Sequence, residues 1–327
     1  MKTLMISSCV SDGGLYRYTL TEDGTLRLCG FIPADRPMYA VLQQEILYVL
    51  EREADKTSHV SGLRTFAVLP DGTAREINTR QSTLGVCAAH LCLKNNVVYI
   101  VNYLSGSVVR MPDKVVLHKG SSAHPTRQEA PHPHFITTTL DGYLLVADLG
   151  TDKIYSYDAD LNLFCETTLR PGSGPRHLVF STNGRCVFCA NELSSTVSMY
   201  HYDAGKLVFM DEQSTLPEGY TGENTAAAIR YKNGHVYVSN RGHDSIVCLC
   251  VEQEHLVPRQ FLPTFGEGPR DFDIIGNHVV CANEISNSVT VVQVESGKLL
   301  YKTQLPHPLC VTVFPENKNG AEFTAKA

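Results

Sequence analysis

The stretch from Gly174 to Val197 reads GPRHLVFSTNGRCVFCANELSSTV, and fragments of this phrase recur along nearly the whole chain. The residues that open the copies are Pro37, Ala88, Pro133, Pro175, Thr225, Pro269 and, for a last partial copy, Pro308. Successive copies lie 39 to 51 residues apart. A repeat unit of this length is typical of solenoids and propellers, so the repeat decides the fold class before any chemistry is considered.

Each copy contains two short apolar stretches separated by a tight turn. The turns are Asp141-Gly142, Asn183-Gly184, Asn233-Gly234 and Gly276-Asn277, and such pairs supply the positive φ angles that a two-residue hairpin requires. The apolar runs are of strand length and rich in β-branched residues, without helical periodicity of comparable strength. The repeat unit is therefore four antiparallel strands, which is the period of a β-propeller blade.

Seven blades fit the chain length. The segment from Leu4 to Phe31 supplies three strands that lack an opening phrase, whereas the segment from Pro308 to Pro315 is an opening phrase without followers. We expect an all-β, seven-bladed propeller that spans residues 1–327 as one domain. Its C-terminal strand becomes the innermost strand of the first blade, which closes the ring and removes an exposed sheet edge.

Composition and charge exclude several classes of protein. The net charge is -6 and no basic cluster occurs, which argues against nucleic acid or an acidic membrane surface as a partner. No apolar run approaches the roughly 18 residues of a membrane span, and the N-terminus lacks the pattern of a secretory signal. We expect a cytoplasmic protein.

The eleven cysteines include the close pairs Cys186-x-x-Cys189 and Cys248-x-Cys250, which invite a metal or redox interpretation. Both pairs lie within apolar strand patterns, and a zinc site would need further ligands at matching spacing. We therefore expect buried, reduced thiols. No metal and no cofactor is expected.

The repeat also locates a polar face. In an antiparallel blade, the residue that opens the first strand and the residue that closes the second lie at the same end. The Pro-Arg-His and Asn-Glu phrases should thus share one mouth of the central channel. This face should carry His90, His132, His134, Arg176, His177, Asn191, Glu192, Asn240, Arg241, His243, Arg270, Asp271, Asn283 and Glu284. Such a concentration of ionisable groups predicts a ligand site at this mouth.

Some of these residues recur at one position of the repeat and have a structural explanation. A short polar side chain at that position most simply hydrogen-bonds its own loop backbone, and this applies to Asn102, Asp148, Asn191, Asn240 and Asn283. Departures from the repeat are more informative. We interpret the combination of Arg176 and Glu192 as the feature that distinguishes the Pro175 copy from the other copies. In the Thr225 copy, Arg241 occupies the position of the Glu. A purely structural Arg176–Glu192 ion pair is the main competing interpretation.

Four phrases carry a family resemblance. They are PHPHFITTTLDGYLLVADLGTDKIYSY, GSGPRHLVFSTNGRCVFCANELSSTVSMY, ENTAAAIRYKNGHVYVSNRGHDSI and GEGPRDFDIIGNHVVCANEISNSV. Together they resemble the seven-bladed propeller lactonases, which include bacterial 6-phosphogluconolactonases and fungal carboxy-muconate cyclases. The resemblance implies a site built from His134 with His132 beside it, Arg176, Glu192 and Arg241. The Pro37 copy departs from the family pattern because it lacks a His, although Glu51 falls where a Glu could face the mouth.

The resemblance implies hydrolysis of a small anionic sugar lactone, namely 6-phosphogluconolactone to 6-phosphogluconate. We assign Glu192 as general base, with His134 as an alternative proton acceptor, and Arg176 to the developing oxyanion. Arg241 would clamp the anionic tail of the substrate. The further substrate-binding candidates are His132, Asn191, Asn240 and His243.

Three alternatives stay open, and the oligomeric state is not indicated by the sequence. A carboxy-muconate cyclase would close a lactone with the same acid and base in another order. A metal-dependent lactonase would hold Ca²⁺ through the Asn and Asp oxygens near the axis. A propeller that binds a partner protein and catalyses nothing is the third, since one fold hosts several functions.

Overall fold

The computed structural model describes residues 1–52, 60–69 and 73–314, which form 28 β-strands in seven four-stranded antiparallel sheets. Within these ranges no helix occurs. The prediction of an all-β, seven-bladed propeller is confirmed. The apolar runs of the repeat became strands because alternate side chains fill the spaces between the sheets.

Blade 1 contains β1 (Lys2–Ser8), β2 (Gly14–Leu20), β3 (Leu26–Pro33) and the last strand, β28 (Pro308–Val313). Blade 2 contains β4 (Pro37–Gln43), β5 (Ile46–Glu51), β6 (Val60–Val68) and β7 (Ala74–Val86). Blade 3 contains β8 (Ala88–Lys94), β9 (Val97–Asn102), β10 (Ser107–Arg110) and β11 (Lys114–Leu117). Blade 4 contains β12 (Pro133–Thr138), β13 (Leu144–Asp148), β14 (Lys153–Tyr157) and β15 (Leu163–Thr168).

Blade 5 contains β16 (Pro175–Phe180), β17 (Cys186–Asn191), β18 (Thr196–Asp203) and β19 (Lys206–Ser214). Blade 6 contains β20 (Thr225–Lys232), β21 (His235–Arg241), β22 (Ser245–Glu252) and β23 (His255–Pro263). Blade 7 contains β24 (Pro269–Ile275), β25 (His278–Asn283), β26 (Ser288–Gln293) and β27 (Leu299–Gln304).

The ring closes as the sequence predicts. Strand β28 pairs antiparallel with β1, with Ile6 opposite Val311, and takes the inner edge of blade 1. Each inner strand contacts the inner strand of the next blade, and the cycle returns from β24 through β28 to β4. Closure therefore joins the two ends of the described chain within a single sheet.

The apolar core is divided among the blade interfaces. Seven of the buried clusters each join one pair of adjoining blades, so every interface in the ring has its own cluster. Between blades 5 and 6, for example, Phe188 and Met199 pack with Val238 and Leu249, all of them buried. Burial of this kind supplies most of the free energy that holds blades together.

The loops of the two faces differ in length. The face opposite the predicted site carries tight turns, and Asn233 and Gly234 have the positive φ angles of 50° and 81° that such a hairpin requires. The mouth face carries the connections between blades. Two of these are long: residues 118–132 before blade 4 and residues 215–224 before blade 6.

One alignment of the repeat was wrong by a residue. In blade 5, Pro175 lies opposite Asn191, but in blade 6 it is Ala226, not Thr225, that lies opposite Asn240. The sheet pairing, which apolar patterning does not reveal at single-residue precision, sets the true equivalence.

Candidate active site

The site residues are projected by a β-bulge that recurs at the start of the inner strands. In blade 5 Pro175 pairs with Asn191 and His177 with Ala190, so Arg176 has no residue opposite it. The same irregularity leaves His134 unpaired in blade 4 and Arg270 unpaired in blade 7. A bulge redirects a side chain out of the regular alternation, and here it places a His and two Arg residues at the start of their inner strands.

Glu192 is the centre of the cluster. Its Oε2 lies 2.9 Å from Arg176 Nε and 3.0 Å from Arg241 Nη2. Its Oε1 accepts a hydrogen bond from Arg127 Nη2. One buried carboxylate therefore holds three guanidinium groups that come from blade 5, blade 6 and the loop before blade 4.

Burial and charge act in opposite directions on this carboxylate. Burial alone would raise the pKa of Glu192, but Arg241 and Arg176, followed by His134 and Arg127, hold that pKa well below its usual range. Burial and the neighbouring charge of Arg241 lower the pKa of Arg176 to about 9. At neutral pH the pair is thus a carboxylate and a guanidinium cation.

Three buried histidines lie close to Arg176. The rings of His134 and His177 lie 5.2 Å apart between centroids, and those of His177 and His90 lie 5.8 Å apart. Burial, together with nearby Arg176, lowers the pKa of His134 and His177 well below the ordinary value, and burial with Arg230 does the same for His90. All three imidazoles are neutral at pH 7, and the buried Nδ1 of His134 has no hydrogen-bond partner among the described residues.

His132 lies beside this cluster and is held by its own contacts. Its ring stacks on Tyr103 at 4.4 Å, and its Nδ1 lies 3.0 Å from the Tyr103 carbonyl oxygen. Its backbone N–H donates to Asp148 Oδ1 at 2.7 Å. Tyr103 in turn meets His134 edge-on at 5.7 Å, so His132 supports one wall of the site. Direct binding of substrate by His132 stays a prediction.

His243 and Arg241 follow one another closely in the chain but have different surroundings. Arg241 reaches Glu192, whereas the His243 Nδ1 lies 2.6 Å from Ser245 Oγ and its ring meets Tyr220 edge-on at 4.8 Å. The structure thus brings Arg241 together with Arg176 and Glu192 and turns His243 toward its own loop and Tyr220. A substrate-binding role for His243 stays a prediction.

The recurring asparagines tie strands and blades together. Asn191 Nδ2 donates to Thr196 Oγ1 and Ser198 Oγ, and Asn240 Nδ2 donates to the Thr215 carbonyl oxygen in the connection from the preceding blade. Their amides therefore bond to side chains and to the neighbouring blade, and the expected bonds to their own loop backbone are made by Asp148 instead. Asn191 and Asn240 are fully buried, and direct contact of either side chain with substrate stays a prediction.

The Arg–Glu pair is not confined to blade 5. Blade 7 repeats it, with Arg270 Nη1 3.1 Å from Glu284 Oε2, and His307 Nε2 lies 3.3 Å from Glu284 Oε1. Our use of the pair to distinguish the Pro175 copy therefore needs correction. What sets Glu192 apart is its environment of three arginines and near-complete burial.

Two further positions differ from expectation. Glu51 pairs with Pro37 and so occupies the position of Asn191, not that of Glu192, and its carboxylate bonds to Arg64. Arg127 was missed because it lies in a long loop that has no counterpart in the other copies. A lone arginine in the most irregular stretch of the chain gives no periodic signal.

Other features of the described chain bear on the alternatives. All eleven cysteines are free thiols, but the expectation that they are buried holds for only five of them: Cys9, Cys189, Cys248, Cys281 and Cys310. Cys29 is exposed, and the other five are partly buried. Within the described ranges no group of three or more His, Cys, Asp or Glu is arranged to hold a metal ion. In the same ranges no helix has the length and apolar character needed to cross a membrane.

Comparison with known proteins gives a consistent result. A family model described as "Lactonase, 7-bladed beta-propeller" matches residues 3–313. An uncharacterized Staphylococcus aureus protein is 30% identical over 316 residues, covering 88% of this chain and 91% of that protein. A Lactobacillus plantarum structure superposes with a TM-score of 0.86 at 30% identity, covering 96% of this chain and 99% of its own. The periplasmic gluconolactonase of Pseudomonas aeruginosa superposes with a TM-score of 0.87 at 25% identity, with the same coverages of 96% and 99%.

Proposed function

The chain belongs to the family of seven-bladed β-propeller lactonases, and we propose that it hydrolyses the lactone of an anionic sugar acid, 6-phosphogluconolactone being the specific candidate. The observation that carries this proposal is the arginine cluster around Glu192. It combines charge for an anionic substrate, donors for an oxyanion and groups that accept a proton.

The charge of the mouth favours an anion. Arg127, Arg176 and Arg241 pair with Glu192, and Arg270 pairs with Glu284. Within these two groups, guanidinium groups outnumber carboxylates by two. Guanidinium groups bind phosphate or carboxylate through paired N–H donors, which suits a phosphorylated sugar acid.

Lactone opening needs a base and a stabilised oxyanion. A water molecule gives a proton to Glu192 or to neutral His134 while its oxygen attacks the ring carbonyl carbon. The negative charge that develops on the carbonyl oxygen is met by Arg176, while Arg241 holds the anionic tail. Collapse of the tetrahedral intermediate breaks the bond to the ring oxygen, which takes up the proton and yields the open hydroxy acid.

The Pseudomonas aeruginosa relative is a gluconolactonase, which makes the unphosphorylated lactone a second candidate substrate. That relative is periplasmic, so the cytoplasmic location of this protein stays a prediction from the sequence. The distinction between the two lactones rests on whether the surplus positive charge is used for binding.

The test is hydrolysis by the purified protein, followed against spontaneous ring opening. We expect acceleration with 6-phosphogluconolactone and less with glucono-1,5-lactone. A parallel assay with carboxy-muconate detects the cyclase reaction. Failure to accelerate the opening of either lactone would overturn the proposal, and lactone formation from muconate would replace it with the cyclase.

A further inference from the structure

The loop of residues 118–132 is fastened to blade 4. His118 Nδ1 lies 2.5 Å from Asp148 Oδ2, and its Nε2 lies 2.9 Å from the Tyr157 hydroxyl, with all three groups buried. Further along, Ser122 Oγ donates to Asp152 Oδ2 at 2.6 Å. These contacts fix the first half of the loop against blade 4.

The second half of the loop presents Arg127. The next residue, Gln128, is fully buried and donates from Nε2 to the Leu149 carbonyl oxygen at 2.8 Å, which holds the backbone beside Arg127. From this fixed point the Arg127 side chain reaches Glu192 Oε1. Its side chain is 39% exposed, whereas Arg176 and Arg241 are 2% and 16% exposed.

The two oxygens of Glu192 are therefore held differently. Oε2 is shared by Arg176 and Arg241 inside the protein, while Oε1 is covered by one arginine that reaches solvent. Water compensates the charge of Arg127 when this side chain leaves the carboxylate, and the buried Glu192 keeps Arg176 and Arg241 as partners on Oε2. Arg176 cannot exchange partners in this way, because separation would leave its buried guanidinium without a carboxylate.

We propose that Arg127 blocks Oε1 of Glu192 until an anionic substrate binds. In the free protein its guanidinium covers Oε1; when an anionic lactone binds, the guanidinium leaves Glu192 and pairs with the anionic group. Oε1 is then free to accept the proton of the attacking water. This inference rests on the proposed lactonase function, and it makes Arg127 a specificity-determining residue outside the set named by the sequence.

The exchange balances charge. One guanidinium–carboxylate pair is replaced by one guanidinium–phosphate pair, and Glu192 keeps Arg176 and Arg241 on Oε2 as an ionised base. A neutral lactone offers nothing for Arg127 to bind, so Oε1 stays covered and the base is less available. Preference for anionic substrates thus arises from release of the base as well as from binding.

The test compares Arg127→Gln with wild type on 6-phosphogluconolactone and glucono-1,5-lactone. We expect kcat/KM for the phosphorylated lactone to fall about tenfold or more, the loss typical of a charge-assisted hydrogen bond. With the neutral lactone, kcat should rise, because Oε1 is uncovered. Arg127→Lys, which keeps the charge, should recover part of the phosphorylated activity. A matched control is Arg170→Gln, which removes an exposed arginine of another loop that pairs with Glu212 and should leave both rates unchanged.

Two results would overturn the inference: an unchanged ratio of the two kcat/KM values, or a kcat on the neutral lactone that does not rise. If the wild-type protein opens neither lactone, the proposed function fails and titration with inorganic phosphate decides the remaining claim. Weaker phosphate binding by Arg127→Gln than by wild type supports the exchange. Equal affinity, or no phosphate binding by wild type, refutes it.

Discussion

Arg176 Nε lies 2.9 Å from Glu192 Oε2, with both side chains almost completely withdrawn from solvent. Burial of this ion pair requires desolvation of both charges, and apolar residues of similar volume often stabilise a fold as well or better. Stability alone therefore does not account for the pair. Its location at the mouth of the channel, next to a neutral His134, fits a site in which a preorganised charge pair meets the reacting group.

Glu192→Gln should lower kcat by about 10² to 10⁴, the usual contribution of a general base, with a smaller change in KM. Because the change also leaves guanidinium groups without their carboxylate, the variant should melt at a lower temperature, and the assay must be run where it remains folded. The matched control is Glu284→Gln, which makes the same change in the blade 7 pair. Unchanged turnover in Glu192→Gln would remove Glu192 from the chemistry.

The ring closure gives a stability prediction. A chain that ends at Leu305 loses β28, whose Val311 N–H donates to Asp271 Oδ2 at 2.9 Å and whose Cys310 N–H donates to Ser7 Oγ at 3.0 Å. It also exposes the inner edge of β1, so we expect a large drop in melting temperature and a tendency to aggregate. Thermal unfolding followed by circular dichroism measures this. A truncated chain that melts like the full one would show that closure does not stabilise the ring.

The repeat made the fold predictable because every blade is an independent sample of the same strand and turn pattern. Seven copies average out local irregularities, and the partial copies at the two ends reveal the closure. The bulge at His134 and Arg176 left no trace in that pattern, since one unpaired residue does not disturb the apolar alternation around it. Its effect, the convergence of these side chains, appears only in the strand register.

The site was predictable where it lies on the repeat and not elsewhere. Arg176, Glu192 and Arg241 lie at positions of the repeat that the sequence assigns to the mouth, and the structure brings them together. Arg127 belongs to a loop whose path depends on buried contacts of His118 and Gln128 with blade 4. Such contacts join residues from different parts of the fold, and no local sequence pattern predicts them.

The buried histidines predict a dependence of stability on pH. The pKa values of His90, His134 and His177 are lowered in the folded protein, so the unfolded chain binds more protons below its own histidine pKa of about 6.5. Their stabilising contribution is complete above about pH 6.5 and is lost as the pH falls below it. Three such groups give a slope of up to about 4 kcal/mol per pH unit in the free energy of unfolding.

Urea unfolding between pH 7 and pH 5 measures that slope. The variant His90→Gln removes one of the three groups, so its slope in this range should be smaller than that of wild type by up to about 1.4 kcal/mol per pH unit, whatever its stability at pH 7. Equal slopes in the two proteins would show that His90 is not buried as a neutral group.

Variants of the two Arg–Glu pairs distinguish a direct role in catalysis from a general effect of positive charge on substrate binding. Arg176→Gln removes the guanidinium assigned to the oxyanion and should lower kcat by about 10² to 10³. Arg270→Gln makes the same change in blade 7, where Glu284 retains His307 as a partner, and should mainly raise KM by reducing the positive charge of the mouth. The KM of wild type should rise with ionic strength for the same reason. Steady-state kinetics of both variants on 6-phosphogluconolactone provide the comparison. Equal losses of kcat would place the reacting carbonyl between the two pairs. A larger loss in Arg270→Gln would move the catalytic centre to blade 7.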